Sequence, residues 1–297
     1  MSRLALLLAI VTAALATLAT GARADYRETV QVLRIGMLAN QMAGADPARL
    51  AAVEKAISAS LGIPTEIIRF PSFSALIDAH ASARVQYAIH SAVSYAATEA
   101  VCGCVAPLRR PVSDNGAIGF RSVLMVRDGA AADIAALKIA YSNEASVSGW
   151  TLPREAMASG ALATPQLVRA GTVSSALDLF RDGSVDGFFT WIPEIAGKAP
   201  ATTPADLFGG IHAGRLSGGE GLRMLWLSEP VLNGPHAVHR SLPEDLVAAL
   251  GTFLDEMPEK APGLLDIIEP LHAGGYVAAV PENYRTLRGL IDTAAKR

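Results

Sequence analysis

The sequence predicts an α/β fold with two lobes, each built on a parallel or mixed sheet covered by helices. Three observations support this prediction. Short β-rich runs alternate with segments whose apolar residues recur at helical spacing. The strand–helix alternation forms two consecutive series along the chain, and each series contains several strands. A serine-rich turn follows one predicted strand in each series. Such alternation favours a sheet with helices on both faces. We place the first lobe at 25–126 and 227–297, and the second at 127–226.

The first 24 residues read as a secretory signal peptide. Arg3 precedes an uncharged apolar stretch over 4–20, and Ala22-x-Ala24 is a small-residue cleavage pattern. No cysteine stands at the cleavage site, so no lipid anchor is expected there. We therefore expect cleavage after Ala24 and export, to the periplasm if the host is a Gram-negative bacterium.

The first series opens with a strand over 33–38. Asp46 is a candidate N-cap with Pro47 at the first helical position, and Gly62 suits the end of that helix. The helix face consists of Leu50, Val53, Ile57 and Leu61. Strands over 65–70, 87–90 and 121–127 and a helix over 73–83 complete the series.

The second series begins with a strand over 138–141 and a polar turn over 142–146. A helix over 149–159, a strand over 166–169, a helix from Val173 to Gly183 and a strand over 185–190 follow. The region 200–221 is rich in Gly, Pro, Ala and Thr and is predicted to be a loop. A strand over 222–227 and helices starting near Pro243 and Pro281 end the chain.

Composition narrows the class of protein. Hydrophobic residues make up 51% and charged residues 18%, as in a globular protein with a large core. Two of the 25 basic residues precede residue 25, so the mature chain carries a net charge of about −5, which argues against nucleic acid as the main partner. The sequence contains no phosphate-binding glycine motif, zinc-binding cysteine pairs or nucleophile elbow. We therefore predict neither an enzyme nor a cofactor or metal site.

Two hydroxyl-rich turns are the strongest candidates for a ligand site. One contains Ser91, Ser94 and Tyr95 and follows a strand; the other contains Ser146, Val147, Ser148 and Gly149 at the start of a helix. A helix N-terminus offers free N–H groups and a partial positive charge, which suit an anionic group. The alternative is that these serines only cap their helices. Because ligands of α/β sheets bind at the carboxyl ends of strands, the two turns could face each other across a cleft.

Two further groups of residues are weaker candidates. Trp191 follows a predicted strand and could form a wall of the cleft, and Glu194 could accept a ligand ammonium; both could equally be core or helix-start residues. Cys102 and Cys104 could pair, bind a soft metal or metalloid, or serve as small buried residues.

Five segments together resemble the phosphate/phosphite/phosphonate substrate-binding proteins of ABC transporters. They are PSFSALIDA (71–79), YAIHSAVSYAA (87–97), APLRRPVSDNGAIGFRSVLMVR (106–127), SNEASVSGWTLPREAMASG (142–160) and ALDLFRDGSVDGFFT (176–190). The resemblance implies a type II periplasmic-binding-protein fold: two α/β lobes joined by a hinge around a central cleft. In that family a tyrosine and a Ser-Thr-Ser run hold the anionic head of the ligand, and these map onto Tyr95 and onto Ser146, Val147 and Ser148. An aromatic residue at the second helix start maps onto Phe73.

The chain departs from the family pattern at three positions. Val147 replaces a hydroxyl donor, Phe73 lacks a tyrosine hydroxyl, and Val173 stands where a histidine is common. Each lost hydrogen bond to the ligand is worth about 0.5–1.5 kcal/mol net. A less charged or more apolar ligand is therefore expected, with Phe73, Trp150 and Trp191 as walls.

The sequence thus predicts a monomeric periplasmic solute-binding protein that captures a small anionic, phosphonate-, phosphite- or phosphate-like ligand for an ABC permease. The alternative is a periplasmic ligand sensor that partners a membrane histidine kinase; one version of it responds to metal or metalloid through Cys102 and Cys104. The predicted ligand-binding residues are Phe73, Ser94, Tyr95, Ser146, Val147, Ser148, Gly149, Trp191 and Glu194.

Overall fold

The computed structural model describes residues 25–39, 47–144, 146–198, 221–269, 272 and 274–295. The predicted signal peptide, the Asp46 cap and all but the last residue of the predicted 200–221 loop lie outside these residues. Within the described ranges, no helix is both long and apolar enough to cross a membrane.

The elements alternate much as the sequence predicts. The strands are β1 (Leu33–Leu38), β2 (Thr65–Phe70), β3 (Tyr87–Ile89), β4 (Val105–Pro111), β5 (Ala117–Arg127), β6 (Lys138–Tyr141), β7 (Gln166–Arg169), β8 (Gly187–Ile195), β9 (Leu222–Leu227), β10 (Val231–Leu232), β11 (His236–His239) and β12 (Tyr276–Ala278). The helices are α1 (Tyr26–Thr29), α2 (Pro47–Leu61), α3 (Phe73–Ala81), α4 (Ala92–Cys102), α5 (Leu152–Ala158), α6 (Val173–Arg181), α7 (Glu244–Lys260), α8 (Pro262–Ile268) and α9 (Arg285–Ala295). A π-helical turn, Val147–Thr151, leads into α5.

The strands form two sheets. The first has the order β12-β4-β11-β3-β1-β2, and the second has the order β10-β5-β8-β6-β7 with β9 also paired to β5. In the first sheet β1 is parallel to β2 and β3, and in the second β6 is parallel to β7 and β8. The remaining strands pair antiparallel: β11 with β3 and β4 and β12 with β4 in the first sheet, and β5 with β8, β9 and β10 in the second. The predicted α/β class is therefore confirmed.

Each sheet is covered by the apolar faces of its helices. Five of the six residues of β1 are buried, as expected for a central parallel strand with both faces covered. Helix α2 buries the four residues predicted for its apolar face. Helix α7 adds Leu246, Leu250, Leu254 and Met257 to the same core. A separate core in the second sheet packs α6 against β8.

The chain passes between the sheets at 112–116 and at 233–235. The whole of β5 pairs in the second sheet, whereas the predicted boundary falls at 126/127; β10 also pairs there, beyond the predicted boundary at 226/227. We propose that the lobes follow the sheets, with the first lobe formed by 25–111 and 236–295 and the second by 117–232.

Asn233 ties the two crossing segments together. Its side-chain amide donates to the Pro111 carbonyl at 2.9 Å, and its main-chain amide donates to the Ile118 carbonyl at 2.8 Å. The Tyr284 hydroxyl donates to the Asn233 carbonyl at 2.9 Å. These contacts hold the two crossing segments together where the chain passes from one sheet to the other.

Candidate functional site

A cavity of about 380 Å³ lies between the two lobes. The first lobe lines it with the start of α3 and the first turns of α4, and the second lobe lines it with one residue each from β5, the π-helical turn and β10. This volume lies in the range of small-molecule sites. The lining residues are Phe73, Ile77, Ser91, Ala92, Val93, Ser94, Ala97, Phe120, Val147 and Val231.

Among the residues that the structure describes, the cavity wall is apolar apart from two hydroxyl groups. Ser91 and Ser94 are the polar side chains there, and none of these lining residues carries a formal charge. Phe73 and Val93 remain 49% and 38% exposed. The wall can therefore bury an apolar group, while polar recognition is concentrated at one point.

That point is the N-terminus of α4, which begins where β3 ends. Ser91 is the N-cap: its Oγ accepts from the Ser94 amide at 3.1 Å. Helix geometry leaves the amides of Ala92 and Val93 without an intrahelical acceptor. Both residues line the cavity, so the positive end of the helix dipole points toward it.

Two buried histidines lie directly behind these serines. His90 Nδ1 is 3.0 Å from Ser94 Oγ, and His80 Nδ1 is 2.9 Å from His90 Nε2. Burial lowers the pKa of His80 to about 3, with a smaller contribution from His239. Burial also places the pKa of His90 well below its usual value. Both rings are therefore neutral at ordinary pH. Sequence reasoning missed them, because position 80 lies ten residues before the turn that it supports.

Three of the residues predicted for the site line the cavity: Phe73, Ser94 and Val147. Three more of the predicted residues, Ser146, Ser148 and Gly149, lie in the same turn as Val147 but do not line the cavity. Ser146 Oγ accepts from the Gly149 amide at 3.0 Å, so it acts as a cap. The Ser148 carbonyl accepts from Ser122 Oγ at 2.6 Å, which anchors the turn to β5.

Tyr95 faces away from the cavity. Residues 91–94 and Ala97 line the cavity from α4 and its N-cap, and Tyr95 does not. The Tyr95 ring is 1% exposed and packs edge-on against Tyr284 at 4.8 Å. It lines a separate cavity of about 160 Å³ near the Glu99–Arg288 ion pair. This orientation leaves the anion-holding role implied for its hydroxyl unsupported at the central cavity.

Glu194 and Trp191 also lie outside the cavity wall. Strand β8 extends five residues beyond its predicted end at 190 because it pairs with β5 along its whole length. Glu194 forms two hydrogen bonds to Arg121, at 2.5 and 3.3 Å. Arg121 also donates to the Ser228 carbonyl at 3.1 Å. Trp191 is half-buried opposite Ser122 in the β5–β8 pair.

Replacement of Glu194 by glutamine is expected to lower the free energy of unfolding by about 1–3 kcal/mol, because it leaves the half-buried Arg121 without a counter-charge. Ligand affinity should change less than about twofold, since the ion pair does not line the cavity. Urea denaturation and calorimetric titration measure the two effects. A large loss of affinity with unchanged stability would instead restore Glu194 as a ligand contact.

Cys102 and Cys104 are bonded to each other, with an S–S distance of 2.07 Å. The proposed thiol site for a metal or metalloid is therefore wrong for this state, because neither sulfur carries a free thiolate. The metal- or metalloid-responsive version of the sensor alternative therefore loses the thiols on which it depended.

Two mixed sheets covered by helices, joined by two crossing segments and with a cavity between them, define the class of type II periplasmic binding proteins. The chain belongs to the family of phosphonate periplasmic substrate-binding proteins of ABC transporters, whose family model matches residues 35–284. The predicted resemblance is thus confirmed. Members of this family are binding proteins that work with an ABC permease, not enzymes, and the family implies a periplasmic location.

Solved structures share the fold at low sequence identity. A protein from Xanthomonas citri, solved with ATP bound, is 14% identical with a TM-score of 0.62; the match covers 90% of this chain and 99% of that one. PhnD1 from Prochlorococcus marinus, solved with methylphosphonate, is 12% identical with a TM-score of 0.53 and the same coverage of each chain. No curated protein sequence matches the chain significantly.

Proposed function

We propose that this protein, acting as a monomer in the periplasm, captures a small organic acid with an apolar substituent and delivers it to an ABC importer. An alkylphosphonate is the chemical class that fits best. The observation that carries the proposal is the composition of the cavity, where one helix N-terminus with two serines faces a wall whose other described residues are apolar.

The acidic head is assigned to the start of α4. Free amides, the helix dipole and the Ser94 hydroxyl there supply hydrogen bonds and a favourable potential without a formal charge. Phosphonate, sulfonate and carboxylate groups all present acceptor oxygens to such a site. An ammonium group would meet donors and an unfavourable potential.

The apolar substituent is assigned to the opposite wall. Phe73 and Ile77 from the first lobe face Phe120, Val147 and Val231 from the second. Inorganic phosphate or phosphite would leave some oxygens against this wall without partners, at a cost of a few kcal/mol for each buried unpaired group. An alkyl chain would instead replace water along it.

Capture requires both lobes, since each contributes part of the wall. Rotation about the crossing segments would bring the exposed parts of Phe73 and Val93 onto the ligand and the second lobe. Hinge closure of this kind is the usual response of two-lobed binding proteins. The closed form is then the state that a permease recognises.

A homologous ligand series tests the proposed class. We expect affinity to rise from phosphate and phosphite through methylphosphonate to butylphosphonate, by up to about fourfold for each methylene buried. Isothermal titration calorimetry on the mature protein measures the trend, with butylamine as the matched cation. Tighter binding of inorganic phosphate than of butylphosphonate, or binding of butylamine alone, would contradict the assignment.

Replacement of Ser94 by alanine is expected to weaken butylphosphonate binding by about tenfold or more, because a hydrogen bond to a charged oxygen is lost. Ser175→Ala is the matched control. Ser175 and Thr172 repeat at α6 the contacts that Ser94 and Ser91 make at α4: the Ser175 amide donates to Thr172 Oγ1 at 3.0 Å, and the two hydroxyls are 2.9 Å apart. Ser175 does not line the cavity, so its loss should leave affinity within twofold. Equal effects at the two sites would show that only helix capping is being measured.

A further inference from the structure

We propose that His90, held in place by His80, is a positioning residue that makes the Ser94 hydroxyl a hydrogen-bond donor to the ligand. The inference rests on the proposed function in one respect: the ligand head is an acceptor at the start of α4. It adds a buried specificity element that does not touch the ligand itself.

The hydrogen-bond contacts of Ser94 Oγ allow two arrangements of its proton. It lies 3.0 Å from His90 Nδ1, 3.1 Å from Ser91 Oγ and 3.1 Å from the Ser91 carbonyl. A hydroxyl has one proton and two lone pairs. If the His90 ring and the Ser91 hydroxyl both donate to Ser94, its own proton points to the Ser91 carbonyl. That carbonyl already accepts from the Tyr95 amide at 2.9 Å, so it can release the Ser94 proton to a ligand oxygen.

The reverse arrangement would consume this proton inside the protein. Ser94 would donate to His90 Nδ1, His90 Nε2 would donate to His80 Nδ1, and His80 would carry a proton on Nε2. Within the described residues, His80 Nε2 is buried and makes no hydrogen bond. The Gln86 carbonyl lies near enough to raise the pKa of His80, but it forms no hydrogen bond of normal geometry with Nε2, and it accepts from the His239 amide at 2.8 Å. Buried N–H groups without a partner are rarer than buried acceptors without one. The geometry therefore favours protons on Nδ1 of both rings.

The pair also stays neutral, which gives the relay a single direction. His80 and His90 are 0% and 2% exposed and stack with ring centroids 5.1 Å apart. Within the part of the chain that the structure describes, the hydrogen-bond partners of the His90 ring are the neutral His80 ring and the Ser94 hydroxyl. His80, His90 and Ser94 thus form a directed chain of donors that ends at the cavity. Each donor polarises the next, so the chain favours an acidic head over an ammonium group.

A double-mutant cycle with butylphosphonate tests whether His90 acts through Ser94. His90→Phe keeps a ring but removes the donor, and it should weaken binding by about 10-fold. In the background of Ser94→Ala the same change should cost less than about twofold, because no hydroxyl remains to be oriented. His90→Asn places an amide donor near the position of Nδ1 and should recover most of the affinity. Additive losses, or no recovery with asparagine, would overturn the proposal.

Direct observation of the tautomers keeps the test independent of the ligand and of variant folding. Long-range ¹H–¹⁵N correlation spectra of the ligand-free wild-type protein should show Nδ1 protonated in both His80 and His90, the assignment that heavy-atom positions only imply. A proton on Nε2 of His90 would overturn the inference even if butylphosphonate binds. Conversely, Nδ1 protonation without butylphosphonate binding would support the relay and reject only the proposed ligand class.

Discussion

Replacement of Gly234 by alanine is expected to lower the free energy of unfolding by at least about 3 kcal/mol, at the upper end of what overpacking costs. Gly234 lies in the second crossing segment, against the turn that opens the ligand cavity. A Cβ at this position would lie 1.9 Å from the His90 carbonyl oxygen and 2.6 Å from the Ser91 Cα. Both are main-chain atoms, which cannot move aside as a flexible side chain can.

The same substitution is expected to abolish detectable ligand binding. If the crossing segment shifts to relieve the clash, His90 and Ser91 lose the contact that holds them; the His90 amide donates to the Pro235 carbonyl at 3.1 Å. Guanidinium denaturation and calorimetric titration measure the two effects.

Gly263→Ala is the matched control for that experiment. A Cβ at Gly263 meets nothing within 4 Å, and this glycine lies in helix α8. Alanine should be neutral or stabilising there by up to about 1 kcal/mol, because it has the higher helix propensity. If Gly234→Ala proved as stable as Gly263→Ala, the close packing of the crossing segment on the cavity turn would be wrong.

Acidification from pH 6.5 to pH 4.5 is expected to cost the protein about 3–5 kcal/mol of stability through His80 and His90. The folded state holds the pKa of His80 at about 3 and that of His90 well below 6.5, mainly by burial. Below pH 6.5 the unfolded chain binds protons at both rings and the folded chain does not. The stabilising effect of the two neutral rings is therefore complete above pH 6.5 and is lost as the pH falls toward 3.

Glu269 adds a second loss at lower pH. Burial raises the pKa of its carboxyl, but hydrogen bonds from His236 and His272 outweigh burial and lower it below 4.5. Its contribution to stability is present above pH 4.5 and declines below it. The loss between pH 6.5 and 4.5 is therefore assigned to the histidines, and the Glu269 contribution adds to it only below pH 4.5.

Urea denaturation at a series of pH values measures this dependence. The double variant His80→Asn, His90→Asn keeps polar groups but cannot titrate, so its stability should change less than half as much between pH 6.5 and 4.5. An unchanged slope in the double variant would assign the acid sensitivity to other groups.

Much of the fold follows from local sequence signals. Strands β1, β2, β6, β7 and β9 have their predicted bounds, and α2 buries its predicted face. These elements were predictable because β-rich runs and 3.6-residue periodicity arise within a few residues of chain. The short strands β4, β10, β11 and β12 were not predicted. Strand β11 lies between β3 and β4, from which it is separated by more than a hundred residues, so its register depends on partners that no local pattern reveals.

The candidate site was predictable only in part. The serine turn after β3 was singled out because ligands gather where strands end and helices begin. Phe73, Val147 and Tyr95 were singled out by the family resemblance. Which residues of α4 face the cavity depends on how the helix packs against α9, which no local pattern reveals. The ion pair of Glu194 was not predictable from local sequence, because its partner Arg121 lies 73 residues away.

By itself, the sequence determined that this chain is an α/β protein of two strand–helix series with the family pattern of a solute-binding protein. Hydrophobic periodicity, caps and turn residues act over a few residues of the chain, so they can be recognised in the sequence alone. Only the tertiary structure decided that Cys102 bonds Cys104, that Arg121 neutralises Glu194 and that His80 supports Ser94 through His90. These depend on side-chain direction and on the pairing of strands and helices, which arise only when each lobe folds.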